Sequence, residues 1–179
     1  MSLSALSKIL PPKTAGELRS LWKAAQETVV MTNGTFDLLH AGHTAYLEWA
    51  RNQGDRLIVG LNTDASIRRI KGDKRPLVAE QHRAALLAAL ECVDAVVFFD
   101  EDEPKDLIAR LLPDILVKAE DWSHYVSGRD IVEANGGEIR LAPMVEGLST
   151  SDLLNKICLT FTGQPAQLDP QNQRSATKV

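Results

Sequence analysis

Two histidines three residues apart are the feature of this sequence with the clearest chemical use. His40 and His43 follow residues 33–37 and flank Gly42. At the start of a helix this spacing places both side chains near one face, and a glycine lets a ligand approach the backbone closely. The unpaired N–H groups and the helix dipole also favour an anion there. The spacing alone leaves a second interpretation open, in which two polar side chains simply begin a helix.

Other familiar metal and phosphate sites do not match this segment. A zinc site would need a third ligand, which has no obvious source, and the HExxH pattern is absent. The P-loop pattern and the GxGxxG pattern are also missing after the first expected strand. We therefore expect neither a P-loop NTPase nor a dinucleotide dehydrogenase.

Further polar groups occur where strands and helices are expected to end. Lys71, Lys74 and Arg75 form a basic loop after the second expected strand, and Lys118 ends a later one. Residues 149–152 open the last expected helix with the spacing of a capping box. Each has a plain structural interpretation, because such lysines often face solvent and a serine can simply cap its helix. Spacing does not decide between these interpretations and anion binding.

The elements that must position these groups alternate between strands and helices. Strands are expected at residues 28–32, 56–62, 95–99, 114–118 and 138–142, and helices at residues 15–26, 40–53, 80–92, 104–112, 127–135 and 149–159. Such βαβ alternation predicts an α/β fold, a Rossmann-like doubly wound parallel sheet with helices on both faces. Ligands bind such sheets at the carboxyl ends of the strands, where the strand order reverses. We therefore expect the site in the loops that follow the strands.

The chain is expected to divide into three parts. Residues 1–28 form an N-terminal arm with a short helix, and residues 29–161 form the main domain. Residues 162–179, rich in Gln, Pro, Asn and Ser, form a disordered tail. With 44% hydrophobic and 25% charged residues over 179 positions, the composition is that of one ordinary globular domain.

Charge and hydropathy exclude several classes of partner. The formal net charge of −4 provides no basic field for a nucleic-acid backbone, so we expect no nucleic-acid partner. The longest compact apolar run, residues 84–90, is far shorter than the ~20 residues that cross a bilayer. The N-terminus lacks the pattern of a signal peptide. We therefore expect no membrane partner and a cytoplasmic location.

The segment from Gly34 to His43 resembles the signature of the HxGH nucleotidyltransferases, and in particular their cytidylyltransferase-like group. Further matches follow in order at residues 54–59, 62–64, 71–76, 83, 93–94 and 148–151, so the resemblance covers most of residues 29–157. Within the group, the sequence is most similar to the adenylyltransferase domains of ADP-heptose synthesis. Many of those domains are fused to a sugar kinase, for which this chain has no room, so we expect a stand-alone enzyme.

The resemblance implies a reaction and its partners. The adenylyl group of ATP would be transferred to D-glycero-β-D-manno-heptose 1-phosphate, giving ADP-heptose and pyrophosphate for the inner core of lipopolysaccharide. Mg²⁺ would be the cofactor, and similar enzymes are often homo-oligomers. One alternative is a cytidylyltransferase that uses CTP with glycerol 3-phosphate or another sugar or polyol phosphate, because the HxGH core does not itself select the base. A non-catalytic nucleotide-binding protein and a structural α/β domain are further alternatives, although the second leaves the histidine pair unexplained.

The resemblance also implies a role for each matched residue. The catalytic residues would be His40, His43 and Lys118. The nucleotide would contact Asn33, Gly34, Thr35, Phe36, Gly42, Lys71, Arg75, Arg83, Ser149, Thr150 and Ser151. The sugar phosphate would contact Asp37, Asp64, Lys118, Asp121 and Trp122. No metal ligand is assigned.

A few polar residues stand outside these roles. Lys74, His82 and His124 are expected in solvent. The sequence departs from the family pattern at Ala119 and Glu120, where glycines are common. Glu120 would add a negative charge near an anionic substrate, so the loop after Lys118 is expected either to differ in shape or to accept a different sugar phosphate.

Overall fold

The fold is built on one parallel β-sheet. Its strands are β1 (Ile9–Leu10), β2 (Val29–Gly34), β3 (Arg56–Asn62), β4 (Ala95–Phe99), β5 (Ile115–Ala119) and β6 (Glu138–Ala142). The computed structural model describes residues 5–122, 124–143 and 149–166, with the strands in the order β1-β4-β3-β2-β5-β6. Every pair of neighbouring strands is parallel.

In the described part of the chain, seven α-helices connect and cover the strands. They are α1 (Pro12–Ala24), α2 (Ala41–Arg51), α3 (Asp64–Lys71), α4 (Glu80–Ala89), α5 (Lys105–Leu111), α6 (Arg129–Ala134) and α7 (Thr150–Thr162). Short 3-10 helices lie at Ala5–Lys8 and Glu120–Trp122. Within these described ranges, every helix is too short or too polar to cross a membrane.

Both faces of the sheet are covered. Strand β3 is buried from Leu57 to Asn62, as expected for a parallel strand with helices on both sides. On one face of the sheet, alternate strand residues pack against α2 and α4 in an apolar cluster that includes Leu47 and Leu87. The other cluster packs the opposite face against α1, α5 and α6. The predicted Rossmann-like doubly wound architecture is thereby confirmed.

The strand order reverses at β2, which lies between β3 and β5. The ladder between β2 and β3 runs from Val29–Arg56 to Gly34–Leu61. The ladder between β2 and β5 contains only Val30–Ile115 and Met31–Leu116. Because β2 and β5 separate after these pairs, a crevice opens at their carboxyl ends, where doubly wound sheets bind ligands.

Carboxylates fix the opposite, amino-terminal ends of the strands. Asp114 accepts a hydrogen bond from the backbone N–H of Val29 at 2.8 Å, and Asp94 accepts one from Leu57 at 2.8 Å. The almost fully buried Arg19 of α1 donates to Asp114 at 2.8 Å and to the carbonyl of Leu112 at 3.0 Å. These bonds tie α1, β2 and β5 together on the side of the sheet away from the crevice.

One strand and one α-helix were not predicted from the sequence. Ile9 and Leu10 of the N-terminal arm pair with Val96 and Val97, and so add an edge strand to the sheet. The basic loop predicted to contain Lys71 is wrong in part, because Lys71 is the last residue of α3 and the loop begins at Gly72. Helix α3 was not predicted because six of its eight residues are polar or alanine. Its N-terminus is nevertheless capped by Thr63, whose hydroxyl accepts a hydrogen bond from the Ser66 N–H at 3.1 Å.

The C-terminal region is described as far as residue 166. Helix α7 continues three residues beyond the predicted end and stops at Gly163, whose φ of 71° suits a left-handed cap. The predicted disordered tail lies, from residue 167 onward, outside the described residues.

Candidate active site

A cleft of about 1180 Å³ lies at the carboxyl ends of β2 and β5. The segment after β2, the end of α3, the end of β5 and the start of α7 all contribute to its wall. Most of the residues predicted for the site line this one cleft, namely Asn33, Gly34, Thr35, Phe36, His40, Gly42, His43, Lys71, Arg75, Lys118, Asp121, Ser149, Thr150 and Ser151. The fold therefore brings together residues that are more than a hundred positions apart in the sequence.

The two histidines form a stacked pair at the start of α2. Their ring centroids are 3.9 Å apart with an interplanar angle of 29°, and the His43 ring lies 5.3 Å from that of Phe36. His40 is the N-cap residue with extended backbone, and its carbonyl accepts the His43 N–H at 2.8 Å. The Nδ1 atom of His40 is buried and has no hydrogen-bond partner among the described residues.

Burial keeps this pair neutral near pH 7. It lowers the pKa of His43 to about 4, with smaller contributions in the same direction from His40 and Lys71. The backbone of Leu38 partly opposes that shift. Burial also lowers the pKa of His40. Each neutral imidazole carries one N–H donor, so the pair can donate hydrogen bonds to phosphate oxygens without first taking up a proton.

Lys118 provides a cation on the other side of the crevice. Its Nζ donates to Asn33 Oδ1 at 2.6 Å, so this hydrogen bond joins the end of β5 to the end of β2. Burial lowers the pKa of Lys118 to about 8, and the carboxylate of Glu103 opposes the shift. The amine is therefore mostly charged at pH 7 and suited to an anionic substrate.

Asp37 organises the basic loop without lining the cleft. Its Oδ2 lies 2.8 Å from Arg75 Nε, and its Oδ1 accepts from the backbone N–H groups of Leu77 at 2.8 Å and Val78 at 2.9 Å. Burial lowers the pKa of the neighbouring Lys71, as does the charge of Arg75. Asp37 is only 3% exposed, so a direct contact with the sugar phosphate, as the family resemblance implied, does not fit its position.

Arg83 and Asp64 also lie behind the cleft rather than on its wall. Arg83 is 1% exposed, and its guanidinium donates to the carbonyls of Thr35 at 2.7 Å and Val78 at 2.9 Å and to Asp64 at 2.7 Å. The implied direct contacts of Arg83 with the nucleotide and of Asp64 with the sugar phosphate do not fit this arrangement. In the structure, both residues hold the segment after β2 in position.

The start of α7 combines a helix cap with cleft-lining hydroxyls. Ser149 accepts from the Asp152 N–H at 3.0 Å and donates to the Asp152 carboxylate at 2.7 Å, which confirms the predicted cap. Ser149, Thr150 and Ser151 all line the cleft. A helix N-terminus with adjacent hydroxyls is a suitable place for a phosphate group.

Several cleft residues were not found from the sequence. Glu103 accepts hydrogen bonds from Tyr125 at 2.9 Å and Ser127 at 2.8 Å, and these three residues line the cleft with Tyr46 and Asn62. Glu103 follows β4, so a closer search of strand ends would have found it. Asn62 ends β3 and lies within the matched residues 62–64, but it was assigned no role. Tyr125 and Ser127 lie in a loop without a recognisable pattern.

The remaining expectations concern the rim of the cleft. Lys74 is exposed as expected but lines the cleft, whereas His82 and His124 do not line it. Ala119 lines the cleft, whereas the exposed Glu120 is not part of its wall. The predicted role of Trp122 falls on a side chain outside the described residues.

The described part of the cleft contains no cage of metal ligands. Among the described residues, no group of three or more His, Cys, Asp or Glu side chains is arranged to hold a metal ion. Mg²⁺ commonly keeps several waters and is held by one or two carboxylates together with substrate phosphates. The carboxylates that line the cleft, among them Glu103 and Asp121, are of the kind that would hold such an ion together with substrate phosphates.

Comparison with known proteins agrees with this geometry. Bifunctional protein HldE of Citrifermentans bemidjiense is 58% identical over 134 residues, which cover 74% of this chain and 28% of that protein. The HldE protein of Trichlorobacter lovleyi is 48% identical over 159 residues, which cover 88% of this chain and 32% of that protein. The chain thus spans about a third or less of these relatives.

Solved structures show the same architecture. A lipopolysaccharide core biosynthesis protein from Thermoplasma volcanium has 25% sequence identity and a TM-score of 0.55, and the match covers 66% of this chain and 97% of that one. A pantoate–β-alanine ligase from Francisella tularensis, solved with a nucleotide and β-alanine, has 15% identity and a TM-score of 0.58, covering 94% and 85% of the two chains. The second likeness concerns the fold alone.

The family assignment rests on most of the chain. The sequence matches the cytidylyltransferase-like family over residues 31–177. That range includes the stacked histidines, the Asn33–Lys118 hydrogen bond and the start of α7. This chain belongs to the cytidylyltransferase-like family of nucleotidyltransferases.

Proposed function

We propose that this chain transfers the adenylyl group of ATP to D-glycero-β-D-manno-heptose 1-phosphate, releasing pyrophosphate and giving ADP-heptose for lipopolysaccharide synthesis. The observation that carries the proposal is the convergence of two neutral histidines and a buried lysine on one cleft at the switch point of the sheet. The high identity with HldE proteins supports the heptose phosphate as the acceptor.

The proposed chemistry needs little from the protein beyond positioning and charge stabilisation. A phosphate monoester has a second pKa near ~6, so the acceptor oxygen is already largely ionised at neutral pH. That oxygen attacks the α-phosphorus of ATP in line, the bond to the bridging oxygen breaks, and pyrophosphate leaves. This step requires neither a nucleophilic side chain nor a strong general base.

Each side of the cleft has its own proposed task. His40 and His43 donate hydrogen bonds to the α-phosphate and the leaving group, where negative charge increases. Lys71, Arg75 and the hydroxyls of residues 149–151 bind the triphosphate. Lys118 binds the phosphate of the acceptor and holds it close to the α-phosphorus, and Asp121 accepts a hydrogen bond from a sugar hydroxyl.

Mg²⁺ is proposed to enter the cleft with ATP. When bound to the phosphates, it neutralises their charge and favours the departure of pyrophosphate. Lys71, Arg75 and the start of α7, which line the cleft, would hold the phosphates of such a complex by positive charge and hydrogen-bond donors. These groups position the phosphates whether or not a metal ion is present.

The proposal also includes a setting and an assembly state. The reaction consumes ATP, which is available in the cytoplasm, and we place the enzyme there. A homo-oligomer is proposed because α7 exposes apolar side chains, among them Ile157 at 43%, Leu159 at 51% and Phe161 at 83%. Analytical ultracentrifugation over a range of protein concentrations tests the assembly state directly.

The direct test of the function is pyrophosphate release from four pairs of substrates. ATP and CTP are each incubated with D-glycero-β-D-manno-heptose 1-phosphate or with glycerol 3-phosphate, in the presence of Mg²⁺. We expect release with ATP and the heptose phosphate only. Release with CTP and glycerol 3-phosphate would replace the proposed substrates by those of the cytidylyltransferase alternative. Silence in all four pairs, from folded protein, would contradict the proposal.

A further inference from the structure

The hydroxyl of Tyr46 lies where three parts of the site meet. Tyr46 belongs to α2 and follows His43 by three residues, so both side chains lie on neighbouring positions of one helix face. Its hydroxyl donates to the backbone carbonyl of Val117 at 3.2 Å and lies 2.6 Å from the hydroxyl of Thr32. Because a tyrosine hydroxyl has one hydrogen, Thr32 is the donor in the second bond.

Both partners of Tyr46 directly precede the residues of the hydrogen bond across the crevice. Thr32 precedes Asn33 on β2, and Val117 precedes Lys118 on β5. Lys118 Nζ and Asn33 Oδ1 are 2.6 Å apart. A single hydroxyl from the helix that carries the histidines is therefore in contact with the strand residues just behind the lysine and its partner.

This network begins where the backbone ladder between β2 and β5 ends. The last paired residues are Met31 and Leu116. Thr32 is fully buried, so the folded state would be destabilised if its hydroxyl had no hydrogen-bond partner. Tyr46 supplies that partner and also satisfies the carbonyl of Val117, which bridges the two strands as they separate.

We propose that Tyr46 is a positioning residue, whose hydroxyl sets the separation of β2 and β5 and thereby the position of Lys118 relative to the histidines of α2. The kinetic consequence rests on the proposed nucleotidyl transfer, whereas the geometric consequence does not. Burial raises the pKa of Tyr46, so the hydroxyl keeps its hydrogen throughout the working pH range.

The kinetic test compares variants that remove or keep the hydroxyl network. Tyr46→Phe and Thr32→Val each remove one hydroxyl and preserve the shape of the side chain, whereas Thr32→Ser keeps the hydroxyl. Val132→Ala is the control for lost stability, because Val132 is fully buried on α6 and does not line the cleft. All variants are assayed for kcat and KM with ATP and the heptose phosphate, after their unfolding has been measured.

We expect Tyr46→Phe and Thr32→Val to lower kcat by about 10- to 100-fold, since a small misplacement of a catalytic group has effects of this size. Thr32→Ser and Val132→Ala should stay near the wild-type rate. If Tyr46→Phe loses no more activity than Val132→Ala at comparable stability, the hydroxyl is merely structural and the proposal is overturned.

A second readout requires no substrate. The amine of Lys118 is labelled with an acylating reagent at a series of pH values, and the labelled peptide is quantified by mass spectrometry. In the wild type, half-maximal reactivity is expected at pH about 8, set by burial and opposed by Glu103. In Tyr46→Phe, loss of the bridge between β2 and β5 should let water reach the amine and move this midpoint upward, because hydration favours the charged form.

The two readouts separate the two claims. An upward shift of the Lys118 midpoint supports the positioning role even if the wild type does not turn over the heptose phosphate, in which case only the proposed function fails. Superimposable labelling curves for wild type and Tyr46→Phe would overturn the positioning role, whatever the substrate is.

Discussion

At the scale of single residues, the site relies on two histidine N–H donors that burial keeps neutral. His43 is held between His40 and Phe36, with ring centroids 3.9 and 5.3 Å away, and its pKa is lowered to about 4. Its neutral N–H does not need a proton from solvent, and its orientation is set before substrate binds. Such preorganised donors stabilise charge that develops in the transition state at little cost in reorganisation.

His43→Ala tests this role in catalysis. We expect kcat to fall by about 10²–10³, the usual effect of removing one preorganised donor, while the circular dichroism spectrum is unchanged. His82→Ala is the matched control, because His82 is exposed on α4 and outside the cleft. Turnover of His43→Ala close to that of His82→Ala would remove the histidine from the mechanism.

The lowered pKa of His43 also predicts how stability depends on pH. His43 takes up a proton near pH 6.5 in the unfolded chain, but only near pH 4 in the folded protein. The resulting contribution to the unfolding free energy is therefore fully present above pH 6.5 and is lost as the pH falls toward 4. His43→Asn cannot be protonated. Between pH 7 and pH 4.5 we expect the variant to lose about 2 kcal/mol less unfolding free energy than the wild type. Urea unfolding at both pH values measures the difference, and equal losses would contradict the assigned burial.

At the scale of secondary-structure elements, the two ends of the sheet have separate tasks. The carboxyl ends of β2 and β5 separate and carry Asn33 and Lys118, while their amino ends are tied together by Asp114. Arg19 fixes α1 to the same carboxylate. These ties therefore hold the strands together at the end of the sheet that faces away from the cleft.

Arg19→Ala is expected to weaken the fold and leave the chemistry intact. The change removes the Arg19 donors to Asp114 Oδ1 and to the carbonyl of Leu112, while Asp114 keeps its hydrogen bond from the Val29 N–H, and it should lower the unfolding free energy by about 1–3 kcal/mol. Lys13→Ala on the same helix removes a 4.0 Å ion pair with Glu17 whose side chains are 86% and 65% exposed, and should cost about 0.5 kcal/mol or less. Urea unfolding compares the two. The kcat of folded Arg19→Ala should remain near the wild-type value, and a large loss of kcat would link α1 to the site.

The elements that could be predicted from sequence are those with strong apolar patterns. Strand β3 and strand β4 were predicted with their observed bounds because both are nearly continuous runs of buried residues. Helix α3 and strand β1 were missed, since one is mostly polar and the other has only two residues. Local patterns do not reveal an edge strand whose partner lies more than eighty residues away.

The site was predicted in the same uneven way. The histidines, Lys118 and the start of α7 were identified from motifs, and the structure brings them to one cleft. Arg83 and Asp37 were identified with them but lie behind the cleft wall, because a matched position does not tell which way a side chain faces. Tyr46 has no motif of its own, and its contacts with Thr32 and Val117 exist only once α2 packs on the sheet.

At the scale of the whole molecule, the protein is acidic but its cleft gathers basic residues. The net charge is −4, while Lys71, Lys74, Arg75 and Lys118 line one cleft. Asp73, Asp102, Glu103 and Asp121 line the same cleft, so carboxylates stand among its basic groups and the described residues form no continuous basic surface there. This distribution favours small anionic substrates over a long polyanion, which would need a basic surface outside the cleft as well.

The account as a whole depends on which phosphorus of ATP is attacked, and isotope tracing decides this most directly. The protein is incubated with Mg²⁺, D-glycero-β-D-manno-heptose 1-phosphate and ATP that carries ³²P at either the α or the γ position. We expect the α label in the sugar nucleotide and the γ label in pyrophosphate, because the adenylyl group is transferred. Appearance of the γ label on the sugar, or of the α label only in AMP, would contradict nucleotidyl transfer by this cleft.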